Sequence, residues 1–244
     1  MFALYERLIE GIPAGIEVEQ ICSGSALTAV CADGGVGLCE TVIDQRRPMT
    51  LDPSGRYDLQ ALATCAQSWN YIEASIGMAA INCYYNNARR LMERGLVLNP
   101  VRRNPYRSLK RMLENQKVAV IGRMPLLEDA LGDAAQLSVL VENPVGAADY
   151  PDCAAEFILE DQDAVFADGR AFVQKKIPRL QAHAKRLVCH GVGVPLCEIP
   201  EVDTVWGFAV LNPAEVLRMV QLGVPVECLL SPAMAIVRMG SALT

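Results

Sequence analysis

KVAVIGRMPLLEDALGDAAQLSVLVENP, residues 117–144, is the stretch whose reading decides the fold. KVAVIG is a short apolar run entering a glycine, PLLEDAL suits a helix that begins at Pro125, and LSVLVE is a second apolar run. Continuous rather than alternating apolar strands are what a parallel sheet covered on both faces requires. Proline fits the first helical position, where its missing N–H has no partner to lose. Downstream, DAVFA (163–167), RLVCHG (186–191) and TVWGFAV (204–210) repeat the strand pattern, separated by helix-compatible KKIPRLQAHA and PAEVLRMVQLG. The alternation predicts a Rossmann-like parallel sheet with helices on both faces.

Upstream the pattern changes. Residues 16–43 hold β-compatible runs broken by Ser23-Gly24 and Asp33-Gly34-Gly35, turn sequences that accept positive φ, so two or three short antiparallel strands are expected. Residues 58–66 and 69–94 lose the strand pattern and run without proline, which predicts two helices, the second long. In it Ile72, Ile76, Ala79, Ala80 and Cys83 form one apolar stripe that should face the small sheet. Pro100 and Pro105 then break the chain near residues 95–107. The expected organisation is α/β, with a small α+β domain over residues 1–100 and the parallel-sheet domain over 101–244.

Of the 244 residues 52% are hydrophobic and 20% charged, which supplies a core and argues against disorder. No run of about 18 apolar residues could span a bilayer, and Glu6, Arg7 and Glu10 interrupt any leader-like start, so a soluble, cytoplasmic protein with no membrane partner is expected. Nine cysteines without a CxxC pair read as reduced thiols, mostly in the core. A metal site would have to be assembled in three dimensions, and no three cysteines are expected to cluster. Residues 89–117 hold nine of the 22 Lys/Arg but only Glu93 and Glu114 of the 28 acidic residues. In a chain of net charge −6 this segment is no nucleic-acid footprint. It forms a solvated linker, pairs with acidic surface within the chain or across a homo-oligomer, or attracts a small anion.

Candidate ligand contacts lie at the strand ends. Gly122 and Pro125 frame the first strand-to-helix turn with Arg123 between them, an anion site or an ordinary βα turn. Glu142, twenty residues on, stands where Rossmann-like domains hold a ribose diol, or is a solvated strand end. His190 and Gly191 end a strand at the same edge, where the histidine either lines a ligand crevice or is satisfied in the structure. Glu73, in an apolar helix with Asn70 and Gly77 on its face, is a buried acid/base or ligand anchor, or a carboxylate at a helix start; Asn82 lies on another face. No GxSxG, HExxH or P-loop is present, so the sequence names no reaction, no catalytic residue and no cofactor.

SWNYIEASIGMAAINCYYNN (68–87), KVAVIGRMPLLEDAL (117–131), LSVLVENP (137–144), DAVFADGRAFVQKKIPRL (163–180) and GVGVPLCE (191–198), in this order, resemble the DUF4213/DUF364 proteins, the putative heavy-metal chelation family. The resemblance spans nearly the whole chain and is most specific over Glu73–Asn82 and Val120–Pro125. It implies an enolase-N-terminal-like first domain, a Rossmann-like second domain and a cleft between them. It also implies a family without an established activity, with small-molecule chemistry of pterin, flavin or metal-chelator type. The leading expectation is a small-molecule-binding enzyme of unnamed reaction, with the ligand between Glu73 and Asn82 on one side and Gly122, Arg123, Glu142 and His190 on the other. The competing reading is a non-catalytic protein that binds a heavy metal or a metal complex. This chain departs from the family pattern at Gln174-Lys175-Lys176 and around Gly193, which puts the family's ligand in question.

Overall fold

A computed structural model describes residues 2–43, 47–52, 54–102, 104–107, 109, 113–131, 136–147 and 149–240. After helix α1 (Ala3–Glu10), strands β1 (Val18–Ser23), β2 (Leu27–Ala32) and β3 (Gly35–Glu40) form the expected antiparallel sheet, with Asp33-Gly34 between the last two. Helix α2 (Leu59–Ala63) tightens into a 3-10 turn over Thr64–Gln67 and leads to α3 (Tyr71–Tyr85) and α4 (Ala88–Glu93).

Two expectations for this half need correction. The helix predicted over 69–94 breaks at Asn86-Asn87. Asn86 Nδ2 donates to Val194 O (2.9 Å) and Phe208 O (3.2 Å), and its Oδ1 accepts from Leu196 N–H, so this side chain is committed to the other half. Asn87 then restarts the helix by accepting from Arg89 and Arg90 N–H, the N-cap role asparagine fills well. Nor does α3 show a single apolar stripe, because every residue from Glu73 to Cys83 is buried. It packs against β2 and β3, against α2 and the 3-10 turn, and against the helix Arg170–Val173. At Gly37 the helix lies directly on the sheet: an added Cβ would fall 2.0 Å from Ala79 O and Cys83 N.

Strands β4 (Asn99–Pro100), β5 (Lys117–Ile121), β6 (Gln136–Val141), β7 (Asp149–Pro151), β8 (Ala164–Ala167), β9 (Leu187–Gly191), β10 (Thr204–Val210) and β11 (Met234–Gly240) build the second sheet in the order β4-β11-β10-β9-β8-β5-β6-β7. The five runs read from the sequence as strands are its parallel centre. β7, β4 and the antiparallel β11 were not expected. Pro100 is tolerated because β4 is an edge strand. The polypeptide thus enters the large sheet at residue 99, beside the expected boundary.

Side chains alternate across the sheet as a doubly covered layer demands. Val118, Val120, Phe166, Val188 and Trp206 pack with Tyr106, Leu109, Leu113 and Leu127. Ala119, Ile121, Val165, Ala167 and Cys189 pack on the other face with Phe172, Ile177 and Leu180, in a cluster that continues through α1, α2 and α3. The two halves therefore share one core. Among the described residues no helix is long and apolar enough to cross a membrane.

Candidate functional site

The C-terminal ends of the parallel strands face the end of β3, and two adjoining cavities lie there. The first, about 560 Å³, is lined by Glu40 from β3, Tyr106, Met124, Asp168 just after β8, His190 and Gly191 at the end of β9, Phe208 and Glu227, among others. The second, about 830 Å³, is lined by Gly122, Arg123, Glu142, Asn143, Arg170, Gln174 and Lys176 with an apolar floor that includes Ile121 and Leu140. Arg123 and Asp168 line both.

Asp168 is buried, and its Oδ1 accepts from Arg170 N–H at 2.9 Å. Burial raises its carboxyl above the ordinary value, against the pull of the Arg170 guanidinium, the Arg170 and Ala171 N–H groups and Lys176. Glu40 is pushed up further, first by burial and then by the charges of Asp168 and Glu227, which outweigh Arg170. Like charges in a low-dielectric space cannot both ionise freely, so the Asp168 charge adds to burial in disfavouring the ionised form of Glu40.

His190 stands beside this pair as an uncharged wall. It is buried, Nδ1 lies 3.2 Å from Tyr106 Oη, and Nε2 meets the Met124 sulfur. Burial lowers the imidazole to about 3. Tyr106 and Phe166 pack edge-on to the ring at 5.0 and 5.9 Å between centroids. The imidazole thus shapes the cavity and stays neutral across the physiological range.

In the second cavity Gly122 takes φ +89°, a conformation L side chains rarely adopt, and its N–H donates to Leu140 O. Arg123 is held by Asp149 (2.5 Å) and Glu128 (3.1 Å). The N–H groups of Gly146 and Val145, then Arg123, lower Asp149 to about 2. Gln174 Nε2 donates to Glu142 Oε1 at 3.1 Å, so an amide sits on the cavity's carboxylate. Lys176 pairs with Asp152.

Of the residues singled out in the sequence, Gly122, Arg123, Glu142, His190 and Gly191 therefore lie on the walls of the two cavities, and Pro125 opens its helix at the first position. Glu73 and Asn82 line neither. Glu73 accepts from Thr50 N–H, Thr50 Oγ1 (2.9 Å), Leu51 N–H (2.8 Å) and Ser68 Oγ (2.5 Å). Burial opposes its charge, but these donors hold its carboxyl below the ordinary value. Asn82 Nδ2 donates to Leu38 O and fastens β3 to α3. Glu73 is tied up by the 47–51 loop and Asn82 by β3, so neither is presented to the cavities. Asp168 and Glu40 were missed, although Asp168 follows its strand just as Glu142 follows β6; Glu40 becomes legible only once the sheets face each other.

Comparison with known proteins fixes the family. Residues 106–232 match the DUF364 model and residues 5–85 the DUF4213 model, both described as "Putative heavy-metal chelation". The chain belongs to the DUF364 family. A DUF364 protein of unknown function from Desulfitobacterium hafniense is 31% identical over 98% of each chain, with a TM-score of 0.85. Another, from Pyrococcus horikoshii, shares the fold at 19% identity over 98% of each chain, with a TM-score of 0.79. A comparison with curated proteins finds no match.

Among the described residues of this DUF364 chain the donor set does not assemble a soft-metal site. Such sites need three or four converging thiolates or imidazoles. Among the described residues no three His, Cys, Asp or Glu groups are placed to hold an ion. Burial also raises the thiols, Cys31 to about 11 and Cys83 and Cys197 to about 12, and keeps them protonated.

Proposed function

We propose that this protein binds a small organic molecule in the cleft between residues 1–100 and 101–244, and that the Glu40–Asp168 pair shares a proton with it. The observation that carries this reading is the pair itself: two carboxyls from different sheets, both raised by burial, on the wall of one cavity. Perturbed carboxyl pairs in clefts are typical of ligand and acid/base sites. With Tyr106 and Phe208 as further walls, the cavity suits a flat ligand that presents N–H donors or a positive charge, as pterin-like rings do. Whether chemistry follows binding depends on the proton, which a protonated pair can give and an ionised one can take.

Native mass spectrometry and elemental analysis of the purified protein test this. The expected result is a bound organic species, with any metal carried by that species, and its loss from E40Q and D168N. Stoichiometric metal in protein free of any organic ligand, lost on substituting cysteines, would overturn it in favour of direct metal binding.

A further inference from the structure

We infer that the second cavity is a subsite for a ribonucleoside lacking a pyrophosphate, with its vicinal diol against Glu142. The inference rests on reading the cleft as a ligand site and names what its other half takes. Topology makes the first argument. From β5 the chain runs outward through β6 to β7, and β8 returns to the other side of β5. In open parallel sheets the crevice at such a switch, outside the carboxyl ends of the strands, is where ligands bind. Here Gly122, just after β5, and Asp168, just after β8, both line the second cavity.

Residue chemistry narrows the ligand. Glu142 follows the strand next to the switch strand and is exposed on the cavity wall. A carboxylate only accepts hydrogen bonds, and its two oxygens match two adjacent hydroxyl donors. Gln174 orients it from one side at Oε1. Val141 and the exposed Val145, with Ile121 and Leu140 beneath, form the apolar part of the lining. A dinucleotide is disfavoured, because a pyrophosphate needs glycines that let backbone approach. After Gly122 this turn carries Arg123, fastened to Asp149 and Glu128, then Met124 and Pro125. Since Asp168 lines both cavities, a nucleoside bound here would touch the acid pair that faces the first.

Calorimetric titration of the full chain with adenosine, guanosine, cytidine and uridine, with the 2′,3′-dideoxy form of whichever binds, and with NAD, tests this. One ribonucleoside is expected to bind saturably and about tenfold or more tightly than its dideoxy form, a difference of two hydrogen bonds. NAD should bind no more tightly than that nucleoside. In E142Q the ribonucleoside should fall to the level of the dideoxy form, whose own affinity stays put. Four ribonucleosides without binding at millimolar concentration, equal affinity for ribo and dideoxy forms, or an unchanged ratio in E142Q would each overturn the inference. The acid pair is tested through Glu40, which lines only the first cavity, so failure here leaves that reading standing.

Discussion

Glu40 and Glu73 are both glutamates at the edge of an element, yet their carboxyls move in opposite directions. Four donors meet Glu73, whereas Glu40 meets Asp168 and Glu227. The lowered Glu73 value means that its stabilisation is present above the ordinary value of 4.5 and lost as pH falls through the folded one. E73Q should therefore cost about 3 kcal/mol at neutral pH, because one amide cannot accept from donors that a carboxylate satisfies. Urea unfolding at neutral pH and near pH 3 measures it, and a cost that did not shrink in acid would be inconsistent with a charge effect. The raised Glu40 value has the reverse sign: its contribution is complete below 4.5 and is lost as pH rises through the folded value. E40Q, uncharged throughout, should gain on the wild type in stability as pH rises from 4.5 to about 8 and hold that margin in more alkaline solution. A margin independent of pH would remove Glu40 from the acid pair.

At the scale of elements, helix α3 shows why a close approach matters more than an apolar stripe. Its Ala79–Cys83 backbone rests on Gly37 of β3, so G37A would force the sheet and helix apart. A loss of about 4 kcal/mol or more, or failure to fold, is expected; a thermal midpoint near the wild type's would show that the contact yields. The same helix marks where sequence patterns stop being informative. Five central strands and three later helices were legible because burial on both faces writes continuous apolar runs and caps their starts with proline. The break at Asn86 was not, since its cause is the carbonyls of Val194 and Phe208, more than a hundred residues away. β11 was missed because its partly exposed MAIVRMG pattern depends on β10 for its meaning. Site residues followed the same rule: Glu142 and His190 were readable as strand ends, while Glu40 acquires its partner only across the cleft.

Across the whole molecule, one core joins the two halves, and Lys175 is a polar tie within it. Its Nζ donates to Ser68 O (2.5 Å) in the first half and to Val173 O (2.8 Å) in the second, under the rings of Tyr5, Trp69 and Tyr71 at 5.6 to 5.9 Å. Burial lowers the amine to about 8, against a smaller opposing influence from Cys39. Between about 8 and the ordinary 10.5 the unfolded chain holds a proton there that the folded chain has lost, so this residue makes stability rise with pH. The buried thiols act oppositely. Cys31, Cys39, Cys83, Cys189 and Cys197 are all raised from 9.0 by burial, so above that value the unfolded chain loses protons the folded chain keeps. Five thiols outweigh one amine, and the wild type should lose stability as pH rises from 9 to 10.5. K175M removes the opposing contribution, and its decline over the same interval should be steeper. Denaturant unfolding at steps of pH checks both. A K175M curve parallel to the wild type's would mean that Lys175 keeps its charge in the folded state, and a flat wild-type curve would mean that the thiols ionise without unfolding.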